Sequence, residues 1–134
     1  MMRTASCQCG QLHATVQGEP TMVSLCGCLR CQRRTGSAFA LASRWRRSDV
    51  VSIEGVYRQF ERLSAAGNVV QLKFCPECGT TVLTSLAIMP DTLGIPVGCF
   101  ADPTFGAPNV AVWCETLPAW VRLPEGIPTL ARQV

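Results

Sequence analysis

The chain has 134 residues, of which 48% are hydrophobic and 16% charged, and its formal net charge is +3. This length fits one domain, so we expect a single domain over residues 1–134, and the low charge content argues against long disordered tails and favours a homodimer. No run of residues resembles a secretion signal or is apolar enough to cross a bilayer, so we predict a cytoplasmic protein with no membrane partner.

Short runs rich in β-branched and aromatic residues alternate with turn residues, which predicts an all-β fold. The 11 glycines and 9 prolines are spread along the chain without a repeat. One helical turn is expected at Leu29–Arg34, directly after a group of three cysteines. In chain order, the predicted strands are Gln11–Val16, Ser37–Trp45, Val50–Ile53, Val56–Phe60, Val69–Phe74, Thr80–Ser85, Gly94–Cys99, Val110–Cys114 and Trp120–Leu123.

The chain contains nine cysteines, an odd number that cannot pair completely within one molecule. In a reducing compartment, clustered cysteines indicate metal binding or catalysis rather than disulfides. The segments CQCG (7–10) and CPECG (75–79) each end in a glycine, which permits the positive φ of a tight metal-binding turn. CPECG lies between two predicted strands, so we expect it at the tip of a hairpin. With CQCG beside that tip, Cys7, Cys9, Cys75 and Cys78 could hold zinc tetrahedrally; free buried cysteines are the alternative.

The segment CGCLRC (26–31) offers three more thiols, those of Cys26, Cys28 and Cys31. Three protein ligands and one open position are typical of catalytic zinc, whereas four protein ligands are typical of structural zinc. The other soft ligands are Cys99, Cys114 and His13, which we interpret as ordinary core or surface residues. Three negative sulfurs make zinc a weak activator of water but a good partner for a further thiolate. The sequence therefore predicts an open zinc site that binds a thiol substrate.

Arginine outnumbers lysine by eleven to one. Arg30, Arg33 and Arg34 stand beside the three-cysteine segment and are candidates to bind the carboxylates of an anionic thiol, although a solvated turn is the alternative. No acidic residue is singled out by the sequence as a general base.

Two other functions compete with an enzyme. In the first, Arg44, Arg46 and Arg47 contact phosphates while Trp45 stacks on a base, although the small net charge and the lack of a recognition helix do not favour a nucleic-acid partner. In the second, the chain is a non-catalytic module, stabilised by zinc, whose three-cysteine site is capped by Cys99, Cys114 or His13.

Four segments together resemble the glutathione-dependent formaldehyde-activating enzyme family, which includes centromere protein V: CQCG, CGCLRCQRRTGSAF, FCPECGT and FADPTFGAPNVAVWCETLPAW. The resemblance implies a β-tent fold of several small antiparallel sheets, a structural zinc ion and a catalytic one. It assigns the structural ion to Cys7, Cys9, Cys75 and Cys78, and the catalytic ion to Cys26, Cys28 and Cys31. It also implies a carbon–sulfur lyase that forms S-hydroxymethylglutathione from glutathione and formaldehyde. Gly27 stands where the family commonly has a polar residue such as histidine.

Overall fold

The computed structural model describes residues 1–133 and is predominantly β, which confirms the all-β prediction. The single α-helix, α1, covers Leu29–Thr35, and three short 3-10 helices cover residues 47–49, 97–100 and 114–116. The strands are β1 (Met2–Ser6), β2 (His13–Gln17), β3 (Met22–Cys26), β4 (Ala40–Arg46), β5 (Val50–Glu54), β6 (Arg58–Leu63), β7 (Val69–Phe74), β8 (Thr81–Leu86), β9 (Thr92–Pro96) and β10 (Val110–Val112).

The strands form two sheets, and most neighbouring strands are antiparallel, in agreement with the expected fold class. The smaller sheet has the order β1-β2-β5, and the larger has the order β10-β3-β4-β9-β8-β7-β6. Neighbouring strands are antiparallel except for β10 and β3, which run parallel. This parallel pair brings the region around residue 112 next to the end of β3, where the three-cysteine segment begins.

The hydrophobic core lies between the smaller sheet and one face of the larger sheet. Ala14 and Val16 of β2 pack in one cluster with Trp45, Leu83 and Ile95 of the larger sheet, and all five are fully buried. Because side chains alternate along a strand, the residues on either side of Trp45 point to the opposite face. That opposite face of the larger sheet carries the candidate functional site.

The polar groups within this core are paired. Trp45 Nε1 donates a hydrogen bond to Ser43 Oγ, and Ser43 Oγ donates to the carbonyl of Ile95, both at 2.8 Å. Burial of the indole and hydroxyl therefore leaves no unsatisfied donor on either side chain.

Several of the strand predictions are wrong, either in the existence of a strand or in its boundaries. β1 and β3 were not predicted; β1 lacks the expected enrichment in β-branched residues. The predicted strand at Trp120–Leu123 is irregular, because prolines at 118 and 124 flank it and no neighbouring strand pairs with it. Gly94–Cys99 divides into the end of β9 and a 3-10 helix.

Within residues 1–133, no helix has both the length and the apolar character needed to span a membrane.

Candidate functional site

Four cysteine sulfurs from two distant segments meet beside the turn between β7 and β8. The Sγ atoms of this four-cysteine cluster lie within 4.8 Å of one another: Cys7, Cys9, Cys75 and Cys78. Gly10 and Gly79 have φ values of 86° and 78°, and CPECG forms the β7–β8 hairpin tip, as predicted. The distances from Cys9 Sγ to the sulfurs of Cys7 and Cys75 are 3.6 and 3.7 Å. A zinc tetrahedron with Zn–S bonds of about 2.3 Å has edges of about 3.8 Å, so the donor set fits zinc.

Gln11 supports this cluster and was not predicted. Its Nε2 lies 2.9 Å from Cys75 Sγ, while the same amide exchanges two hydrogen bonds of 2.8 Å with the backbone of Val56. Burial alone raises the pKa of the Cys75 thiol, but the hydrogen bonds from Gln11 and nearby backbone N–H groups lower it overall. The amide thus favours the thiolate form that a metal ion binds.

The second group, the three-cysteine cluster, forms where β3 leads into α1. Cys26 is the last residue of β3, Cys28 caps α1, and Cys31 lies in the first helical turn. The three Sγ atoms lie within 4.8 Å of one another, and the backbone N–H of Cys31 donates to Cys28 Sγ at 3.3 Å. Hydrogen bonds from the thiols of Cys26 and Cys31 lower the pKa of Cys28 far below its ordinary value. The spacing CxCxxC therefore brings three soft donors together, which suits zinc.

A cavity of about 160 Å³ opens beside the three-cysteine cluster, on the face of the larger sheet that points away from the core. All three cysteines line it. Four arginines also line it: Arg30, Arg34, Arg44 and Arg62. Among residues 1–133, no aspartate, glutamate or histidine does so. The remaining wall is mainly apolar, with Leu72, Leu86 and Met89 on one side and Val112 and Trp113 on the other.

Comparison with known proteins identifies the family of the chain. The family model of the glutathione-dependent formaldehyde-activating enzyme matches residues 2–116. The chain belongs to that family. A Rhodobacter sphaeroides protein of known crystal structure is 19% identical, with a TM-score of 0.55, and the match covers 95% of this chain and 98% of that one. At that identity the similarity shows the fold alone. No curated protein gives a significant match.

In this member of the formaldehyde-activating family, any side chain at position 27 would press on the residues packed against the cysteine loop. A Cβ atom at position 27 would lie 2.8 Å from the carbonyl oxygen of Trp113 and 3.0 Å from Leu117 Cβ. The Gly27 carbonyl accepts hydrogen bonds from Thr116 Oγ1 at 2.8 Å and from Gln32 Nε2 at 2.9 Å. The loop is therefore fixed against the 3-10 helix at residues 114–116, and the space that a histidine would need is occupied.

The arginines predicted to bind carboxylates differ in position. Arg30 and Arg34 line the cavity, whereas Arg33 is exposed and is not among the lining residues. Arg34 Nε is buried and has no hydrogen-bond partner among the described residues. Arg44, which the sequence placed in a surface patch with Trp45, is 7% exposed and lines the cavity instead. Alternation along β4 was the available signal, because it places Arg44 opposite the buried Trp45.

The three alternative metal ligands do not join the three-cysteine cluster in the described part of the chain. His13 Nε2 lies 3.1 Å from Glu54 Oε2 on the smaller sheet. Cys99 packs beside the core and contacts the carbonyl of Thr81, and Cys114 lies in the last 3-10 helix. Trp45 is fully buried, so it offers no surface for a nucleic-acid base.

Proposed function

We propose that the chain is a zinc-dependent enzyme that joins glutathione to formaldehyde, with S-hydroxymethylglutathione as the product, in the manner of a carbon–sulfur lyase. The observation that carries the proposal is the position of the three-cysteine cluster on the wall of a cavity lined by four arginines. Membership of the formaldehyde-activating family supports the choice of substrates.

Both cysteine groups have the donor chemistry of zinc sites. Cys7, Cys9, Cys75 and Cys78 would hold a structural ion, and Cys26, Cys28 and Cys31 would hold a catalytic one. When bound at the three-cysteine cluster, zinc would supply a soft positive centre with a position left for a thiolate. No fourth histidine, cysteine or carboxylate group joins this cluster within residues 1–133.

The side chains around the cavity supply positive charge and an apolar wall. Arg30, Arg34 and Arg62 favour the thiolate form of a bound thiol, because opposite charge stabilises the ionised state. When the sulfur attacks formaldehyde, a C–S bond forms and the C=O double bond becomes a single bond. The same guanidinium groups would stabilise the oxygen that becomes negative. The proton lost by the thiol is balanced by the proton that this oxygen takes up from solvent.

A direct test combines metal analysis with exchange NMR. Glutathione and ¹³C-formaldehyde combine without an enzyme, so the measured quantity is the exchange rate above that background at equilibrium. We expect two zinc ions per chain and faster exchange with the native protein. Cys31→Ser should retain about one zinc ion and the fold, and should lose the acceleration. Cys114→Ser is the matched control, since Cys114 lies outside both clusters, and it should behave as the native chain does.

Two results would count against the proposal. Acceleration that survives in Cys31→Ser would place the chemistry elsewhere. Two bound zinc ions without any acceleration, and without binding of glutathione, would favour the non-catalytic zinc module.

The roles of the arginines near the cysteines are tested in the same way. Arg34→Ala should weaken glutathione binding because Arg34 lines the cavity. Arg33→Ala is the comparison variant, because Arg33 is the neighbouring arginine on the exposed side of α1. Full thiol affinity in Arg33→Ala would remove Arg33 from the proposed site.

Two further predictions stand beside this proposal. A cytoplasmic location agrees with nine free cysteines, which a reducing compartment would preserve. A homodimer remains a prediction, and light scattering in solution measures it directly.

A further inference from the structure

Arg44 lies in the middle of the larger sheet, on the face that carries the cavity. Its strand neighbour across β9 is Gly94, and Gly94 is paired in turn with Thr84 of β8. A Cβ atom on Gly94 would lie 3.2 Å from Arg44 Nη2 and would collide with Thr84 Oγ1. The guanidinium therefore rests over the bare backbone of Gly94, beside a threonine hydroxyl. Arg44 and Thr84 thus form a polar part of the cavity wall, with Gly94 beneath the guanidinium.

This guanidinium is buried without an acidic partner. Arg44 is 7% exposed, and neither its Nε nor its Nη1 has a hydrogen-bond partner in the described part of the chain. Burial lowers the pKa of Arg44, yet an arginine side chain stays protonated in proteins. An uncompensated buried charge costs folding free energy, and removing it commonly leaves a protein as stable or more stable. A group that is costly to the free protein and faces a ligand cavity is expected to pair with a charge on the ligand.

We propose that Arg44 binds a carboxylate of the thiol substrate and thereby selects thiols whose carboxylate lies far from the sulfur. The inference rests on the proposed function, because it takes the three-cysteine cluster as the position of the sulfur. Planar, paired N–H donors match the two oxygens of a carboxylate, which explains an arginine rather than a lysine here.

The strand register sets the separation between the two ends of the substrate. Cys26 pairs with Ala40 on β4, and Arg44 lies four residues farther along that strand. Four residues of strand span about 13 Å, and the Arg44 side chain extends sideways over Gly94. The carboxylate position is thus on the order of 10 Å from the sulfur cluster. In cysteine, sulfur and carboxylate belong to one residue and are too close to reach both positions; a peptide thiol such as glutathione extends far enough.

The test uses the zinc-loaded protein and four thiols, with dissociation constants measured by calorimetry. The thiols are cysteine, glutathione and two analogues of glutathione: its monoethyl ester at the glycine carboxylate, and the compound in which 4-aminobutanoyl replaces the γ-glutamyl group. Each analogue lacks one carboxylate charge. In the native protein, one of the two analogues should bind roughly 10- to 100-fold more weakly than glutathione, as expected for a charge-assisted pair.

In Arg44→Gln, the binding of glutathione should weaken by a similar factor. The analogue that binds weakly to the native protein should bind to this variant as well as glutathione does. Arg46→Gln is the control, because Arg46 lies on the same strand outside the cavity. Because Arg44 has no partner in the described chain, Arg44→Gln should keep or raise the melting temperature, which shows that the loss is not misfolding.

The outcomes separate this inference from the proposed function. If the native protein binds no thiol, both fail together. The native protein could bind glutathione and accelerate exchange while Arg44→Gln still discriminates between glutathione and both analogues as the native protein does. In that case the proposed role of Arg44 is wrong and the proposed function stands. Equal binding of cysteine and glutathione by the native protein would likewise overturn the separation argument.

Discussion

Gly94 and Arg44 are paired residues on neighbouring strands, and the missing side chain of Gly94 provides the space over which the Arg44 guanidinium lies. The positive charge of Arg44 can lie at this point of the cavity because Gly94, in the centre of the sheet, has no side chain. Glycine in a strand ordinarily weakens it, so its presence here has a steric reason.

Gly94→Ala should therefore disturb the site directly. The new methyl group collides with Thr84 and displaces Arg44, and overpacking of this kind costs about 1–3 kcal/mol. We expect a lower free energy of unfolding in urea and weaker glutathione binding. Gly98→Ala is the control, because nothing lies within 4 Å of a Cβ atom there. Unchanged glutathione affinity in Gly94→Ala would show that the position of Arg44 does not matter for binding.

Gly27→Ala should displace the cysteine loop, because its Cβ atom would press on the Trp113 carbonyl and on Leu117. Zinc content measured by mass spectrometry under native conditions should fall from two ions toward one. The four-cysteine cluster lies elsewhere and should keep its ion. Gly106→Ala has open space and should retain both ions. A Gly27→Ala protein that holds two ions with native affinity contradicts the proposed rigidity of the loop.

Gln11→Leu should weaken the four-cysteine cluster. The substitution removes the hydrogen bond to Cys75 Sγ and leaves the backbone groups of Val56 without their partners. Loss of a hydrogen bond to a charged sulfur is worth about 1.5–3 kcal/mol, and such supporting contacts change metal affinity by about 10- to 100-fold. Competition with a chromogenic chelator measures that affinity. Gln59→Leu, on the exposed strand β6, is the control. An equal loss of metal affinity in Gln59→Leu would show that the effect is not specific to Gln11.

Cys99 provides a prediction about pH. Burial raises the pKa of its thiol to about 11. The folded state therefore holds this proton more tightly than the unfolded state, in which a thiol has its ordinary pKa near 9. The contribution to stability is present below about pH 9 and is lost as the pH rises toward 11. Cys99→Ser should remove this part of the pH dependence.

Alkylation by iodoacetamide gives an independent measurement on Cys99. Mapped by mass spectrometry, the folded chain should label slowly at Cys99 near pH 8 and faster as the pH approaches 11, whereas the denatured chain should label readily at both. Rapid labelling of folded Cys99 at pH 8 would contradict the raised pKa.

The turns that carry the cysteines could be predicted because their geometry is local, whereas the meeting of CQCG with CPECG joins residues 66 positions apart. A glycine after each cysteine pair and the spacing CxCxxC fix the turns within a few residues, and the hairpin tip at CPECG follows from the strands beside it. Family membership was equally accessible, since the motifs cover most of the chain.

The cavity could not be predicted, because its wall is assembled from strands far apart in sequence. Arg62 and Leu72 come from β6 and β7, and only the sheet order brings them opposite Cys28. Arg44 was misplaced for a different reason: the run RWRR was interpreted as a surface patch, although alternation along β4 puts Arg44 and Trp45 on opposite faces of the sheet. Gln11 was missed because its partner Val56 is 45 residues away.

The contact between Thr116 and Gly27 joins residues 89 positions apart. During synthesis, the ribosome releases the early thiols long before it makes the segment that holds their loop in place. Until that later segment emerges, the loop of the three cysteines lacks the hydrogen bond that holds it against the last 3-10 helix. We expect the three-cysteine cluster to reach its final geometry only after residue 116 has been synthesised.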